Sequence, residues 1–291
     1  MAIIPERDGA SREFLFTEQD FQRIRKLIYD HAGINLSEAK KDMVYSRLGR
    51  RLRATGIGSF KDYLSLLETD DEREWEAFVN SLTTNLTSFF REPHHFPLLA
   101  EHLNKIRHRK PIDLWCSAAS TGEEPYTMAM TVVDTFGSFT PPVHIIATDL
   151  DTNVLKKAQQ GIYPVERVEK LSPDQLKRFF LRGTGKNAGF VQVRKELRDM
   201  ITFRQLNLLD AKYPIHGPFE AIFCRNVMIY FDKPTQYKIL QKFIPLMHSD
   251  ALMFAGHSES FQHAADLFSI RGKTVYTIAD KSKHLAMSAT R

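Results

Sequence analysis

Cysteine is nearly absent, with Cys116 and Cys224 the only two in 291 residues. Each ends an apolar, strand-like run, which points to buried thiols of a reducing compartment rather than to a disulfide. No apolar run approaches the roughly 18 residues of a membrane span. The opening Met-Ala-Ile-Ile-Pro-Glu-Arg-Asp lacks the basic-then-apolar order of a signal peptide. The eleven histidines are scattered, and His94-His95 is merely an adjacent pair, so no metal is expected. Hydrophobic residues make up 43% of the chain and charged ones 26%, enough to bury two cores in a chain of this length, so two domains are expected.

Net charge is +5, and it is concentrated. Lys40, Lys41, Arg47, Arg50, Arg51 and Arg53 fall in one stretch whose sole acid is Asp42, while the rest of the chain is close to neutral. One basic docking face is therefore expected rather than a surface coated for nucleic acid. At about 100° per residue, Lys40, Arg47 and Arg51 share a narrow strip of one helix, while Val44, Leu48 and Leu52 repeat every four residues and should face the core. The bland alternative is an ordinary solvated face.

The first 16 residues read as a tail. Four amphipathic helices follow: one capped by Thr17 and stopped by Gly33, one from Ser37 to Gly56, one capped by Ser59, and one after Thr69-Asp-Asp-Glu. They predict a helical domain over 17–88. Thr84-Asn-Leu-Thr-Ser-Phe-Phe-Arg-Glu-Pro93 interleaves polar residues with Phe89 and Phe90, so a packed junction between the two domains is expected.

The second domain, 89–280, is organised around Ile112 to Ala129: a buried strand (Ile112 to Cys116), a loop of small residues (Ser117 to Gly122), and a helix opening at Glu123 or Glu124. Strand, loop, helix is the first unit of a doubly wound α/β fold, whose ligand lies beyond the carboxyl ends of the strands. A dinucleotide site needs several glycines in such a loop. This one has Gly122 alone, followed by two carboxylates that repel phosphate and suit a cation. S-adenosylmethionine fits, carrying an ammonium, a sulfonium and no phosphate. Asp149, ending the strand Val143 to Asp149, is placed to grip its ribose. Against this, Thr121 and Glu124 have capping-box spacing, and Asp149 or Asp151 could simply cap the next helix.

Further on, Phe190 to Gln205 alternates, with a polar turn candidate at Lys195 to Asp199, and reads as antiparallel strand. It belongs to an insert over about 162–200 whose exposed edge could accept an extended peptide. Phe219 to Cys224 is another buried strand, Asp232 caps a helix with Pro234 in its first turn, Ala251 to Ala255 is a fifth strand, and Ser269 to Ile278 a hairpin turning at Gly272-Lys273. Such a terminal hairpin is typical of class I methyltransferases. Residues from Asp280 on read as a tail.

With these pieces placed, the chain resembles the chemotaxis receptor methyltransferases, the CheR family, over about Phe14 to Ile278. The resemblance is carried by Lys41-Asp-Met-Val-Tyr-Ser-Arg47, Leu82-Thr-Thr-Asn-Leu-Thr-Ser-Phe-Phe-Arg-Glu92, Ser117-Ala-Ala-Ser-Thr-Gly-Glu-Glu-Pro-Tyr126, Phe223-Cys-Arg-Asn-Val-Met-Ile-Tyr-Phe-Asp232 and Phe254-Ala-Gly-His-Ser-Glu259. It implies a class I methyltransferase with an N-terminal helical domain and a small antiparallel β insert. The enzyme would use S-adenosylmethionine to methylate glutamate side chains on the cytoplasmic helices of chemoreceptors, yielding S-adenosylhomocysteine. The family's cofactor contacts carry over to Asn85, Thr87, Arg91, Glu124, Asp149, Asn207, Leu208, Arg225 and Asn226. Arg91 and Tyr230 are expected to orient the acceptor carboxylate, with Arg225 a further candidate; core packing is the alternative for Tyr230. Lys40, Arg47, Arg50, Arg51 and Arg53 are expected to dock the receptor, and the insert resembles forms that hold a receptor C-terminal peptide. The resemblance implies a cytoplasmic monomer recruited to receptor arrays, with no nucleic-acid partner and no membrane insertion.

Three rivals remain. An NAD-dependent oxidoreductase would share the fold but lacks Gly-x-Gly-x-x-Gly here. An RNA methyltransferase would carry an Asn-Pro-Pro-Tyr-like or catalytic cysteine motif after a strand, where this chain has Arg225-Asn-Val-Met. A non-catalytic adaptor would bind the cofactor and transfer nothing; the intact set of family residues argues against it.

Overall fold

The structure, a computed structural model, describes residues 12–69 and 72–286. Contacts divide the chain into two compact units, Met1–Thr83 and Thr84–Arg291.

The first unit contains α1 (Glu18–Ala32), α2 (Lys41–Thr55), α3 (Phe60–Leu67) and α4 (Glu72–Leu82). Thr17 and Asp20 form a reciprocal capping box at the start of α1, and Gly33 ends it in the left-handed region at φ 67°. Ser59 caps α3 by accepting the Asp62 N–H. The apolar stripes read from the sequence are the core: Phe21, Ile24, Ile28, Val44, Leu48, Leu52, Phe60, Leu64, Leu67, Phe78 and Leu82 are all buried. The end of the segment read as a tail departs from that expectation. Phe16 is buried, with its ring 4.5 Å from that of Phe60 and 5.7 Å from that of Tyr45. The earlier part of that tail, residues 1–11, lies outside the described residues.

The second unit opens with α5 (His95–Lys105) and continues β1 (Ile112–Cys116), α6 (Glu123–Phe136), β2 (Val143–Asp149), α7 (Thr152–Gln160), β3 (Ile162–Pro164), α8 (Pro173–Phe179), β4 (Phe180–Arg182), β5 (Phe190–Val193), α9 (Lys195–Asp199) and β6 (Ile201–Gln205). It ends with β7 (Phe219–Cys224), α10 (Lys233–Phe243), β8 (Met247–Ala255), β9 (Phe268–Gly272) and β10 (Val275–Ile278). Seven strands form one sheet in the order β6-β2-β1-β7-β8-β10-β9. The first five of these run parallel, and β10 pairs antiparallel with both β8 and β9. Alternate side chains feed a core on each face, with Leu114, Ala147 and Phe223 in one and Trp115, Ile146 and Ile222 in the other. The order reverses between β1 and β7, where a doubly wound sheet opens its ligand crevice.

The region after β2 differs in detail from the sequence reading. Phe190 to Gln205 is not one antiparallel run: Lys195–Asp199 is a short helix, and β6 joins the main sheet parallel to β2. Only β5 is antiparallel, between β3 and β4 in a separate three-stranded sheet. The break falls at the polar turn candidate Lys195 to Asp199, which is a helical turn of five residues. The start of the terminal tail is also ordered. Asp280–Leu285 is a 3₁₀ segment in which Ser282 is buried and donates its hydroxyl to the Asp266 carbonyl. Residues 287–291 lie outside the described residues. No helix among the described residues is long and apolar enough to cross a membrane.

Candidate active site at the carboxyl ends of the parallel strands

Strand register brings the candidate residues to one edge. Cys116 pairs with Ala147 and Phe223, Asp149 with Gln205, and Cys224 with Ala255. The Ser117–Gly122 loop, Asp149, Asn207, Arg225-Asn226 and Gly256–Glu259 therefore all leave the sheet on the same side. Residues 84–92 reach the same edge. Asn85 donates its side-chain N–H to Asp151 Oδ2 at 2.8 Å, and the Asn85 carbonyl accepts the Ser120 hydroxyl at 3.3 Å.

Asp149 is held by backbone. Its Oδ2 accepts the Ser120 N–H at 2.7 Å, and its Oδ1 the Asp151 N–H at 2.9 Å. Ser120 takes φ 48° to aim that N–H. Burial pushes the Asp149 carboxyl up to about 6 against the opposing pull of those N–H groups. Asp151 is the residue that caps α7, accepting the Asn153 and Val154 N–H groups, so Asp149 is not spent on a cap. Likewise Thr121 and Glu124 form no capping box. Gly122 occupies the N-cap of α6 at φ 98°, where a Cβ would come within 2.8 Å of the Tyr163 hydroxyl.

The two loop carboxylates differ from their expected role. Glu123 is fully buried and paired with Arg167, whose Nε lies 3.1 Å from Oε1, and it accepts the Thr121 hydroxyl at 2.6 Å. Glu124 accepts Arg225 Nη1 at 2.7 Å and the Cys116 thiol at 3.3 Å. Neither offers an uncompensated negative charge to a cation. Arg225 is completely buried, over the Phe96 and Phe223 rings. Its Nη2 reaches the Arg91 carbonyl and lies 3.4 Å from Glu92 Oε2, so its guanidinium organises the site from beneath instead of facing an acceptor.

Three residues the sequence reading assigned no role complete this floor. Glu259, buried, accepts four backbone N–H groups, from Asn226, Val227, Met228 and Gly256. Those bonds hold Asn226 at φ 59° and fix the turn after β7. Glu92 binds the Asn226 side chain at 3.3 Å and His257 Nδ1 at 2.9 Å. Burial alone would raise the Glu92 carboxyl, but the His257 bonds and the Arg225 charge outweigh it and hold the group at about 2. His95 donates from Nε2 to the Lys273 carbonyl and is kept neutral by burial and by Arg225, its pKa falling to about 4. Glu92 and Glu259 lie inside strings that carried the resemblance. Arg167 could not be found by spacing, since 44 residues separate it from Glu123.

The remaining candidates sit at the rim. Arg91 is half-buried and donates to the Leu86 carbonyl at 2.8 Å. The Tyr230 hydroxyl points to the Thr84 carbonyl at 3.4 Å, and the Thr87 carbonyl accepts from Arg167 at 3.1 Å. Asn207 Oδ1 accepts the Leu209 N–H at 2.9 Å, and Leu208 is buried with its carbonyl taken by Tyr213 and Lys242. Core packing therefore does not account for Tyr230, which is half-buried with its hydroxyl at the rim.

In the first unit, the basic strip of α2 is largely engaged. Arg47 donates to the carbonyls of Ser81, Leu82 and Thr83 at the end of α4. Arg51 forms a two-pronged pair with the buried Glu74, which also accepts the Tyr63 hydroxyl, and Arg53 binds Glu13. Lys40, Arg50 and Arg53 are exposed.

The family model described as CheR methyltransferase, SAM binding domain, matches residues 85–277, and CheR methyltransferase, all-alpha domain, matches 19–83. The chain belongs to the CheR methyltransferase family. It is 53% identical to Chemotaxis protein methyltransferase 2 of Pseudomonas aeruginosa over 92% of this chain and 96% of that one. It is also 53% identical to the Chemotaxis protein methyltransferase of Escherichia coli over 90% of this chain and 92% of that one. The protein is a methyltransferase with S-adenosylmethionine as cofactor. The strand-edge residues fit that group in one respect above all: the backbone N–H groups on Asp149 leave its carboxylate oriented and able to accept ribose hydroxyls.

Proposed function

We propose that this protein methylates glutamate side-chain carboxylates of bacterial chemoreceptors, forming the methyl esters of chemotactic adaptation and leaving S-adenosylhomocysteine. Family membership and the names of the relatives support that substrate class; the observation that carries the site assignment is the gathering of Asp149, Asn207, Asn226, Asn85 and Arg91 at one edge of the parallel sheet. Asp149 would hold the ribose, and Asn85, Thr87, Arg91, Asn207, Leu208 and Asn226 would line the rest of the cofactor. Glu124 and Arg225 act as a mutually neutralising pair that shapes the pocket floor.

The cofactor supplies an electrophilic methyl group on a sulfonium. The acceptor needs no general base, because a glutamate with a pKa of about 4.3 is ionised at neutral pH. An acceptor oxygen forms a bond to the methyl carbon as the carbon–sulfur bond breaks, its electron pair stays on sulfur, and no proton moves. What the protein must supply is alignment and exclusion of water. Arg91 and Tyr230, donors at the rim, hold the acceptor carboxylate in line. Tyr230→Phe is expected to lower turnover with cofactor affinity unchanged; unchanged turnover removes the assignment.

Receptor helices dock on a basic face that presents Lys40 and Arg50. A receptor C-terminal peptide adds as a strand to an edge of the β3-β5-β4 sheet, raising effective concentration without altering the site. The enzyme thus acts on the cytoplasmic side of membrane receptors. Incubation with methyl-labelled S-adenosylmethionine and receptor-bearing membranes should give label released by mild base as volatile methanol. Cofactor binding without such label removes the proposal.

A further inference from the structure

Resting on that cofactor placement, we propose that Tyr163 and Arg167 of the β insert are positioning residues for S-adenosylmethionine, bracing the two backbone segments that wall the crevice. The first wall is the Ser117–Gly122 loop, in which the Ser120 N–H holds Asp149 at 2.7 Å. The second is residues 84–92, which carry Asn85, Thr87 and Arg91. Neither wall belongs to the insert, yet the insert grips both. Tyr163, buried on β3, donates its hydroxyl to the Thr121 carbonyl at 2.7 Å. Arg167, at the end of the 3₁₀ segment Val165–Arg167, spans the walls. Its Nε and Nη2 bind Glu123 Oε1, and Nη2 also donates to the Thr87 carbonyl at 3.1 Å. Glu123 passes that grip to the loop, because its Oε2 accepts the Thr121 hydroxyl at 2.6 Å. The Phe89 ring of the second wall packs edge-on against Tyr163 at 5.1 Å and against Phe180 of β4 at 5.5 Å.

Apolar packing alone would dock a small sheet. Here its polar groups go to Thr121, next to the residue that orients Asp149, and to Thr87, a proposed cofactor residue. A planar guanidinium bonded to two acceptors fixes the distance between them. The loop also has little room to slip, since Gly122 brings its backbone so close that a Cβ there would stand 2.8 Å from the Tyr163 hydroxyl. Because hydrogen bonds weaken steeply with misalignment, a loop released by Tyr163 or Arg167 lets the Ser120 N–H swing off Asp149.

The test is calorimetric titration of S-adenosylmethionine into Arg167→Lys and Tyr163→Phe. Lysine keeps a positive charge beside the buried Glu123 but lacks the planar fork that spans two acceptors. Phenylalanine keeps the ring against Phe89 and removes only the hydroxyl. Each variant should bind the cofactor about five- to tenfold more weakly, the scale of one lost hydrogen-bonded restraint. With receptor-bearing membranes, KM for S-adenosylmethionine should rise by a similar factor while turnover at saturating cofactor stays within about twofold of wild type. General loosening of the fold does not give that split. Wild-type cofactor affinity in both variants overturns the brace, as does a loss of turnover that saturating cofactor fails to restore. Asp149→Asn separates the brace from the crevice assignment. Weakened binding there, with wild-type affinity in both insert variants, removes the brace and keeps the crevice; wild-type affinity in all three removes both.

Discussion

Two charged regions stand out in this sequence, the basic stretch of α2 in the first unit and the acidic loop before α6 in the second. Both are satisfied within the fold. Arg47 and Arg51 are taken by the end of α4 and by Glu74, and Glu123 and Glu124 by Arg167 and Arg225. Asp149 and Asn226 are different. Each is an isolated polar residue at a strand end whose partners are backbone N–H groups or a side chain that orients it, and each stays half-buried at the crevice. A run of like charge here marks what the fold must compensate, whereas a polar group braced at the carboxyl ends of the parallel strands keeps its remaining valence toward the crevice, which is why the proposed site rests on it.

The largest effect that would sharpen this contrast is in the buried floor. Arg225→Ala leaves Glu124 and Glu92 buried without their counter-charge and should cost about 3–5 kcal/mol of stability, read from urea unfolding. A loss below about 1 kcal/mol would mean that the pair is not what neutralises Glu124. Arg51→Ala, which takes the guanidinium away from the buried Glu74, should cost about 2 kcal/mol, less because the Arg51 side chain is 27% exposed. An unchanged unfolding midpoint would return Arg51 to the docking face.

Glu259→Gln keeps the shape of the side chain but turns one acceptor into a donor facing backbone N–H groups. The expected cost is about 2 kcal/mol, with turnover falling more than stability alone explains because the Asn226–Tyr230 turn loosens. Full turnover in a stably folded variant would separate that turn from catalysis. The smallest effect is expected at the exposed cations. Lys40→Ala with Arg50→Ala should leave the unfolding midpoint where it is and lower receptor methylation about two- to threefold at low salt, the difference vanishing at high salt. Methylation with wild-type salt dependence would leave α2 no docking role.

Much of the fold was legible from local patterns. Thr17, Ser59 and Asp232 cap the helices they were expected to cap, and β1, β2 and β7 run between the residues their apolar runs delimit. The three-stranded sheet was only partly legible, because β3 and β4 span three residues each and carry no usable period. In the site, Asp149 stood out from strand-end logic, and Asn207 only through resemblance. The fates of Glu123, Glu124, Arg47 and Arg51 were not legible, since each is settled by a partner far away in sequence. Nothing in the spacing of Gly256-His-Ser-Glu259 announced that Glu259 gathers four backbone N–H groups; that follows from the close approach of Gly256 to Asn226, where a Cβ would fall 2.4 Å from Asn226 Nδ2 and 2.9 Å from its backbone nitrogen.

The most direct measurement is calorimetric titration of S-adenosylmethionine into wild type and Asp149→Asn between pH 5 and pH 8. The Asp149 carboxyl titrates near pH 6, raised by burial from about 3.9 in the unfolded chain, so the group disfavours folding as pH rises through that window and is ionised above it. On the proposed assignment it accepts both ribose hydroxyls when ionised. Wild-type affinity should therefore be flat above about pH 7 and fall toward tenfold per unit below about 6, while Asp149→Asn should bind at least about tenfold more weakly at pH 7.5, lose that pH dependence, and remain cooperatively folded without urea. Wild-type affinity in Asp149→Asn at pH 7.5 would contradict the assignment of the crevice and the contrast built on it.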